Sequence, residues 1–149
     1  MKEIVESEKR LAVASTTKEL TTVASDNFNV HHYRCEWQIN PYLNYIAGKI
    51  TPAFTMTATG NSIILDLTTQ LMVDSVVYHN NKISFQQQTG DALNINFPAQ
   101  IMQGTKDSVS IYYRGAPAPP NIRTFVQYYH AGVPVVWTLS EPYGAKDWW

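Results

Sequence analysis

His32-Tyr33-Arg34-Cys35-Glu36-Trp37-Gln38-Ile39-Asn40 switches between apolar and polar at every step. Tyr33, Cys35, Trp37 and Ile39 fall on one side, and Arg34, Glu36, Gln38 and Asn40 on the other. A period of two is what an extended chain imposes, because successive Cβ atoms point to opposite faces of a pleated strand. The stretch is therefore predicted to be a strand with one buried and one wet face, closed by Asn40-Pro41.

The same period recurs downstream. Ile46, Gly48, Ile50, Phe54 and Met56 oppose Tyr45, Lys49, Thr51, Thr55 and Thr57. Pro52 lies inside this run and can donate no ladder hydrogen bond, so an edge strand or a bulge is expected there. Gly60-Asn61 has the form of a two-residue hairpin with glycine first, returning through Ile63, Leu65 and Leu67. Asn80-Asn81, Gly90-Asp91 and Ala131-Gly132 are further turn signals between apolar runs. Gly104 precedes a strand through Val109, Ile111 and Tyr113. Upstream of His32, residues 2–14 carry Ile4, Val5, Leu11 and Ala12 near one face of a short amphipathic helix, with Glu6 and Arg10 four apart. Residues 15–29 are rich in Ser, Thr, Asn and Asp and are read as a loop or tether. The expected organisation is a helix and tether over 1–29, packing on the outside of the domain or of a partner. An all-β domain follows over 30–149, as an antiparallel sandwich or a saddle-shaped sheet pair.

Bulk numbers narrow the class. At 149 residues, 44% hydrophobic and 15% charged, the chain holds one globular domain with a core and is not disordered. A net charge of -1 gives no electrostatic case for nucleic acid or an anionic membrane. No apolar run reaches the roughly 18–20 residues that span a bilayer. The opening Met-Lys-Glu-Ile-Val-Glu-Ser-Glu is too acidic and polar for a signal peptide, so native localisation stays open. Export to a periplasm or medium would need a signal already removed. The one cysteine, Cys35, excludes an internal disulfide. On the apolar side of its strand it is expected to be inert packing.

Catalytic constellations are missing from the sequence itself. A peptidase zinc site needs H-E-x-x-H with a further carboxylate, and no such spacing occurs. His31 and His32 are adjacent, so a strand sends them to opposite faces, and Cys35, His79 and His130 complete no ligand set. There is no G-x-S-x-G elbow and no glycine-rich phosphate loop. Pro117 and Pro120 make a P-x-x-P pattern, read either as polyproline-II ligand surface or as a stiff connection. Gln86-Gln87-Gln88 is read only as a polar strand end. No metal and no cofactor are expected on these residues.

The last segment, Thr138-Leu-Ser-Glu-Pro-Tyr-Gly-Ala-Lys-Asp-Trp-Trp149, resembles T-Q-x-E-P-x-x-A-R-x-x-F-P-C. That motif closes the N-terminal domain of the aminopeptidase N (gluzincin) family of zinc metallopeptidases. Thr138, Glu141, Pro142 and Ala145 match, Lys146 keeps the charge of the arginine, and Trp149 takes the aromatic slot. Leu139 departs from the family glutamine, which helps to bind substrate. The resemblance is specific only here, with a diffuse match in strand pattern back to about His32.

The resemblance implies an N-terminal β domain cut before its zinc-bearing catalytic domain, which would be its partner in the same polypeptide. Glu141 would bind the free α-amino group of a peptide substrate, making the parent an aminopeptidase. Pro142, Tyr143 and Lys146 would support that turn, Lys146 through an ion pair or a carbonyl contact. Trp137, Trp148 and Trp149 would form the seam with the catalytic domain. Alone, the domain should be catalytically silent. The alternative is a free-standing β-sandwich module that binds carbohydrate or another ligand.

Overall fold

A computed structural model describes residues 23–117, 124–140 and 144–149. The helix expected over 2–14, Pro120 and the triplet Glu141, Pro142 and Tyr143 lie outside the described residues. Among the described residues eleven strands follow in order: β1 (Phe28–Ile39), β2 (Ile46–Met56), β3 (Gly60–Asp66), β4 (Leu71–Tyr78), β5 (Asn81–Ile83) and β6 (Phe85–Gln88), then β7 (Ala92–Ile101), β8 (Lys106–Ser108), β9 (Ser110–Gly115), β10 (Phe125–His130) and β11 (Val133–Thr138). A single 3₁₀ turn, Ala145–Asp147, follows β11.

The strands form antiparallel sheets. The largest runs β1-β2-β9-β4-β5, with β8 also on β2; the second runs β3-β7-β6; β10 and β11 make a separate hairpin. One buried cluster joins the two main sheets. Ile46, Phe54 and Met56 come from β2, Leu71 and Val76 from β4, and Ile63, Leu93 and Ile95 from β3 and β7. Each such side chain taken from water contributes on the order of 1.5–3 kcal/mol. The period-two pattern of β2 is what directs this: its buried positions Ile46, Ile50, Pro52, Phe54 and Met56 share a parity.

β1 opens at Phe28, four residues before the alternation becomes visible, and pairs Phe28 with Met56. Part of the expected tether is therefore strand. The residues just before it are tied down as well. Ser25 N–H donates to Ile64 O at 3.0 Å, and the Asn27 side chain donates to Ser62 O at 2.9 Å.

Three local expectations are corrected. β2 is no edge, since β1 flanks it on one side and β8 and β9 on the other. Pro52 is tolerated there because its nitrogen faces the gap where β8 gives way to β9. Val109 bridges that gap by donating to Pro52 O at 3.3 Å. Gly60-Asn61 is not a hairpin turn. It opens β3, and the bend at Thr57 and Ala58 carries the chain from the first sheet to the second. The turn expected at Asn80-Asn81 sits one residue earlier, with His79 and Asn80 at φ 46° and 66°. Ala131-Gly132 does turn β10 into β11, at φ 48° and 82°.

Candidate functional site

The site is the closing segment, whose described flanks are Leu139, Ser140 and residues 144–149. Leu139 N–H donates to Thr124 O at 2.9 Å, which fixes the exit from β11. Gly144 N–H then donates to Ser140 O at 3.1 Å, so the two ends of the Glu141 triplet are held against each other. Gly144 is required by a close approach: a Cβ there would overlap the methyl of Thr124, a residue itself buried. Past Gly144 the 3₁₀ turn reverses the chain, and Trp149 N–H donates to Ala145 O at 2.8 Å.

Three anchors hold this segment onto the sheets. Thr68 N–H donates to Lys146 O at 2.9 Å. The Lys146 ammonium reaches Asp91 Oδ2 at 2.8 Å, with both side chains about three-quarters covered. Burial works against the charged ammonium. The hydrogen bond and charge of Asp91, with the charges of Asp147 and Asp66, outweigh it and hold the Lys146 pKa above its ordinary value. Tyr113 O–H donates to Trp148 O at 3.0 Å and accepts from Trp37 Nε1–H at 2.7 Å. Trp37 can lie over β2 because its cross-strand partner is Gly48, where any Cβ would collide with the indole. The Tyr113 phenol, desolvated above all, is pushed well above its ordinary pKa and stays neutral.

The three tryptophans do not share one surface. Trp148 is 7% exposed and belongs to the core, its ring 4.8 Å from that of Trp37 and 6.1 Å from Phe125. Its Nε1–H donates to Ser140 Oγ at 3.2 Å, tying the core to the residue beside Glu141. Trp149 is half-buried with its ring edge-on to Tyr33, and its buried Nε1 finds no partner among the described residues. Trp137 alone is exposed, on β11. An indole near a chain end packs inward when a glycine-floored aromatic nest is open to it, and the seam expected of all three is corrected for Trp148.

Other predicted residues are scattered. Cys35 is partly buried against the core, and desolvation raises its thiol pKa. His31, His32 and His130 are exposed, and His79 pairs with Asp107 at 3.0 Å. Among the described residues no three His, Cys, Asp or Glu side chains gather as a metal ion requires. They do not fit a zinc site. No described helix is long and apolar enough to cross a membrane.

Sequence reasoning missed two polar devices. Gln87 is an inter-sheet staple: its amide donates to Leu71 O at 2.6 Å and Thr68 O at 3.2 Å and accepts from Val73 N–H at 3.2 Å. The signal was available, because Gln87 shares its inward parity with Phe85. Asp107 accepts from Tyr78 O–H at 2.6 Å and from its neighbour Ser108 N–H at 2.8 Å. Nothing local in the sequence marks that pair, which lies 29 positions apart.

No protein-family model and no curated protein matches the sequence. Solved structures share its fold. The M1 zinc metallopeptidase from Deinococcus radiodurans superposes with a TM-score of 0.70 at 18% identity, over 86% of this chain and 30% of that one. A two-domain M1 zinc metallopeptidase variant bound to L-arginine gives 0.69 at 20%, over 85% and 29%. Yeast LTA4 hydrolase in complex with bestatin gives 0.68 at 17%, over 92% and 24%. The fold is thus an all-β one found within zinc metallopeptidases of the M1 type, and the chain spans less than a third of the length of those proteins.

Proposed function

We propose that this chain is the N-terminal β domain of a zinc aminopeptidase, acting with a catalytic domain in the same polypeptide. In this reading it caps the active site and supplies Glu141 to bind the amino group of a peptide substrate. The observation that carries the proposal is the fold likeness, which extends over at least 85% of the chain. Two further facts support it. The motif around Glu141 falls on a segment whose flanks are locked to the core by Trp148, Lys146 and Gly144. Crystal structures of a two-domain M1 zinc metallopeptidase hold L-arginine and L-tryptophan, free amino acids that carry an ammonium group.

The chemistry assigned to this chain is recognition. A carboxylate partly removed from water makes a charge-assisted hydrogen bond to an ammonium, and it is left unpaired when the substrate amine is blocked. That asymmetry selects chain ends over internal peptide bonds. Zinc and the hydrolytic step would belong to the catalytic domain, and no step is assigned to a metal on these residues.

The test needs the longer polypeptide that joins this domain to a zinc catalytic domain. Glu141→Gln keeps shape and hydrogen bonding but removes the charge. Losing one partner of a desolvated charged pair costs about 2–5 kcal/mol, so kcat/KM on free-amine peptides should fall by roughly 30- to several-thousand-fold. N-acetylated peptides, already poor, should lose much less. Unchanged selectivity for the free amine would reduce Glu141 to a surface residue.

A further inference from the structure

Among the described residues β1 is a long strand with one side unpaired: β2 flanks it, and no strand lies on its other edge. The other sheet margins are shorter or already used. β5, β8, β10 and β11 have half its length or less. β3 is bordered by Ser25 and Asn27, and Gln87 fastens β6 to β4. An open row of N–H and C=O groups is a template for a further strand. β1 carries two common guards against chance pairing, a bulge between Val30 and His32 and the charges of Arg34 and Glu36. Past the bulge, residues 32–38 keep unbroken register with β2. Seven extended residues make a straight edge of about 24 Å.

We propose that this edge pairs with the same edge of a second copy, antiparallel about a two-fold axis at Cys35. Residues directly opposite in an antiparallel pair share a face, so a symmetric pairing must be centred on a residue and not between two. Centred on Arg34, it sets Arg34 against the partner's Arg34; centred on Glu36, it sets Glu36 against the partner's Glu36. Like charges directly opposite are destabilising. Centred on Cys35, Arg34 faces Glu36 of the partner subunit and Glu36 faces the partner's Arg34. Registers further out shorten the ladder or run it into the bulge. The charges that repel an arbitrary strand are thus complementary to their own copy. Lys49, across from Glu36 on β2 and ion-paired with it, extends the match. Each Glu36 then lies between Lys49 and the partner's Arg34. Arg34 has capacity to spare: its side chain is 69% exposed, and its contact with Glu36 of its own chain is a long 3.4 Å. On the inner face the same register sets Tyr33, itself exposed, across from the partner's Trp37, an aromatic pair. The contact is isologous and closes, so it gives a dimer and no fibre. A ladder this short is a small interface, and the dimer should be weak and reversible. This inference stands independently of the role assigned to Glu141.

The experiment uses the full 149-residue chain. Sedimentation equilibrium over a series reaching millimolar concentration should show monomer and dimer in exchange. Glu36→Arg sets like charges at both symmetric positions and should weaken the dimer about 10- to 100-fold, as should Arg34→Glu. Combining the two exchanges the charges, restores opposite pairs and should recover most of the lost affinity. The unsubstituted chain gives an answer that needs no variant. In a mixture of isotope-labelled and unlabelled chains, nuclear Overhauser contacts are expected between the Tyr33 ring and the partner's Trp37, and their absence overturns the proposal. A chain that stays monomeric overturns it. So does a dimer indifferent to the single reversals, which would lie on another face such as that of Trp137, or a double variant no tighter than the singles. Slow hydrogen exchange at the outward amides of β1 in a monomer would put another segment of the same polypeptide on the edge, and overturns it as well.

Discussion

Replacing Trp148 by alanine separates a core residue from a seam residue. The side chain is 7% exposed, so nearly all of an indole's area, about 200 Å², is withdrawn from water on folding. At about 25 cal/mol per Å² that is roughly 5 kcal/mol, an upper bound because the unfolded chain already covers some apolar surface. Alanine keeps only the Cβ, and the three aromatic neighbours Trp37, Phe125 and Trp149 cannot collapse fully into the space. The expected loss is about 3–5 kcal/mol. Trp148→Phe keeps most of the area and gives up the Nε1–H bond to Ser140, for about 1–2 kcal/mol. Trp137→Ala, on the exposed face of β11, should cost well under 1 kcal/mol if unpartnered. Urea unfolding followed by far-ultraviolet dichroism measures all three, the midpoint shifting while the slope holds. Trp148→Ala and Trp137→Ala with equal, small effects would refute the placement of Trp148 in the core.

Acid should weaken the link between β4 and β8. Burial opposes ionisation of Asp107, but donors from Tyr78, Ser108 and His79 hold its carboxyl below the ordinary value of 3.8. A carboxyl depressed by folding adds stability that is present above the unfolded value and lost as pH falls through the folded one. Stability measured across that window should therefore drop less in Asp107→Asn than in the parent, and Tyr78, pushed up to about 12 by burial and Asp107, should titrate lower in the variant while burial still holds it above its ordinary value. Gly144→Ala should cost about 1–3 kcal/mol by crowding the Thr124 methyl, and Thr124→Ser, which removes that methyl, should recover most of it in thermal unfolding. A full loss retained in the double variant would put the cost elsewhere.

Strand content was legible because sheet physics writes itself locally. Inside and outside alternate along β2, and the left-handed turn at Ala131-Gly132 demands residues that accept positive φ. What could not be read was which strand meets which. Thr57 and Ala58 lie between two apolar alternations whether the chain doubles back or crosses to another sheet, so Gly60-Asn61 passed for a hairpin. Pro52 looked like an edge because its missing donor is local, while the β8–β9 gap that accommodates it is made by residues more than fifty positions away. Glu141 stood out only through the resemblance of its neighbours to a family motif. The clamps around it use Thr124, Asp91 and Tyr113, and no periodicity in the sequence joins them to residues 144–149.

That distribution of restraints has a consequence for the proposed site. Ser140 is fixed by the Trp148 indole, and Gly144 returns a backbone bond to Ser140 while resting on Thr124. Ser140 and Gly144, the described ends of the segment, are therefore two points set by the core. A carboxylate meant to recognise a small ammonium gains from such restraint, because ordering it at the moment of binding would subtract from affinity. The same restraint makes the site sensitive to changes that never touch it: Trp148→Phe releases Ser140 and leaves Glu141 in place chemically. In the longer polypeptide that variant should weaken discrimination between free and blocked amines by less than Glu141→Gln does, while Trp137→Ala leaves discrimination unchanged. If Trp148→Phe lowers stability and spares selectivity altogether, the clamp serves the fold alone.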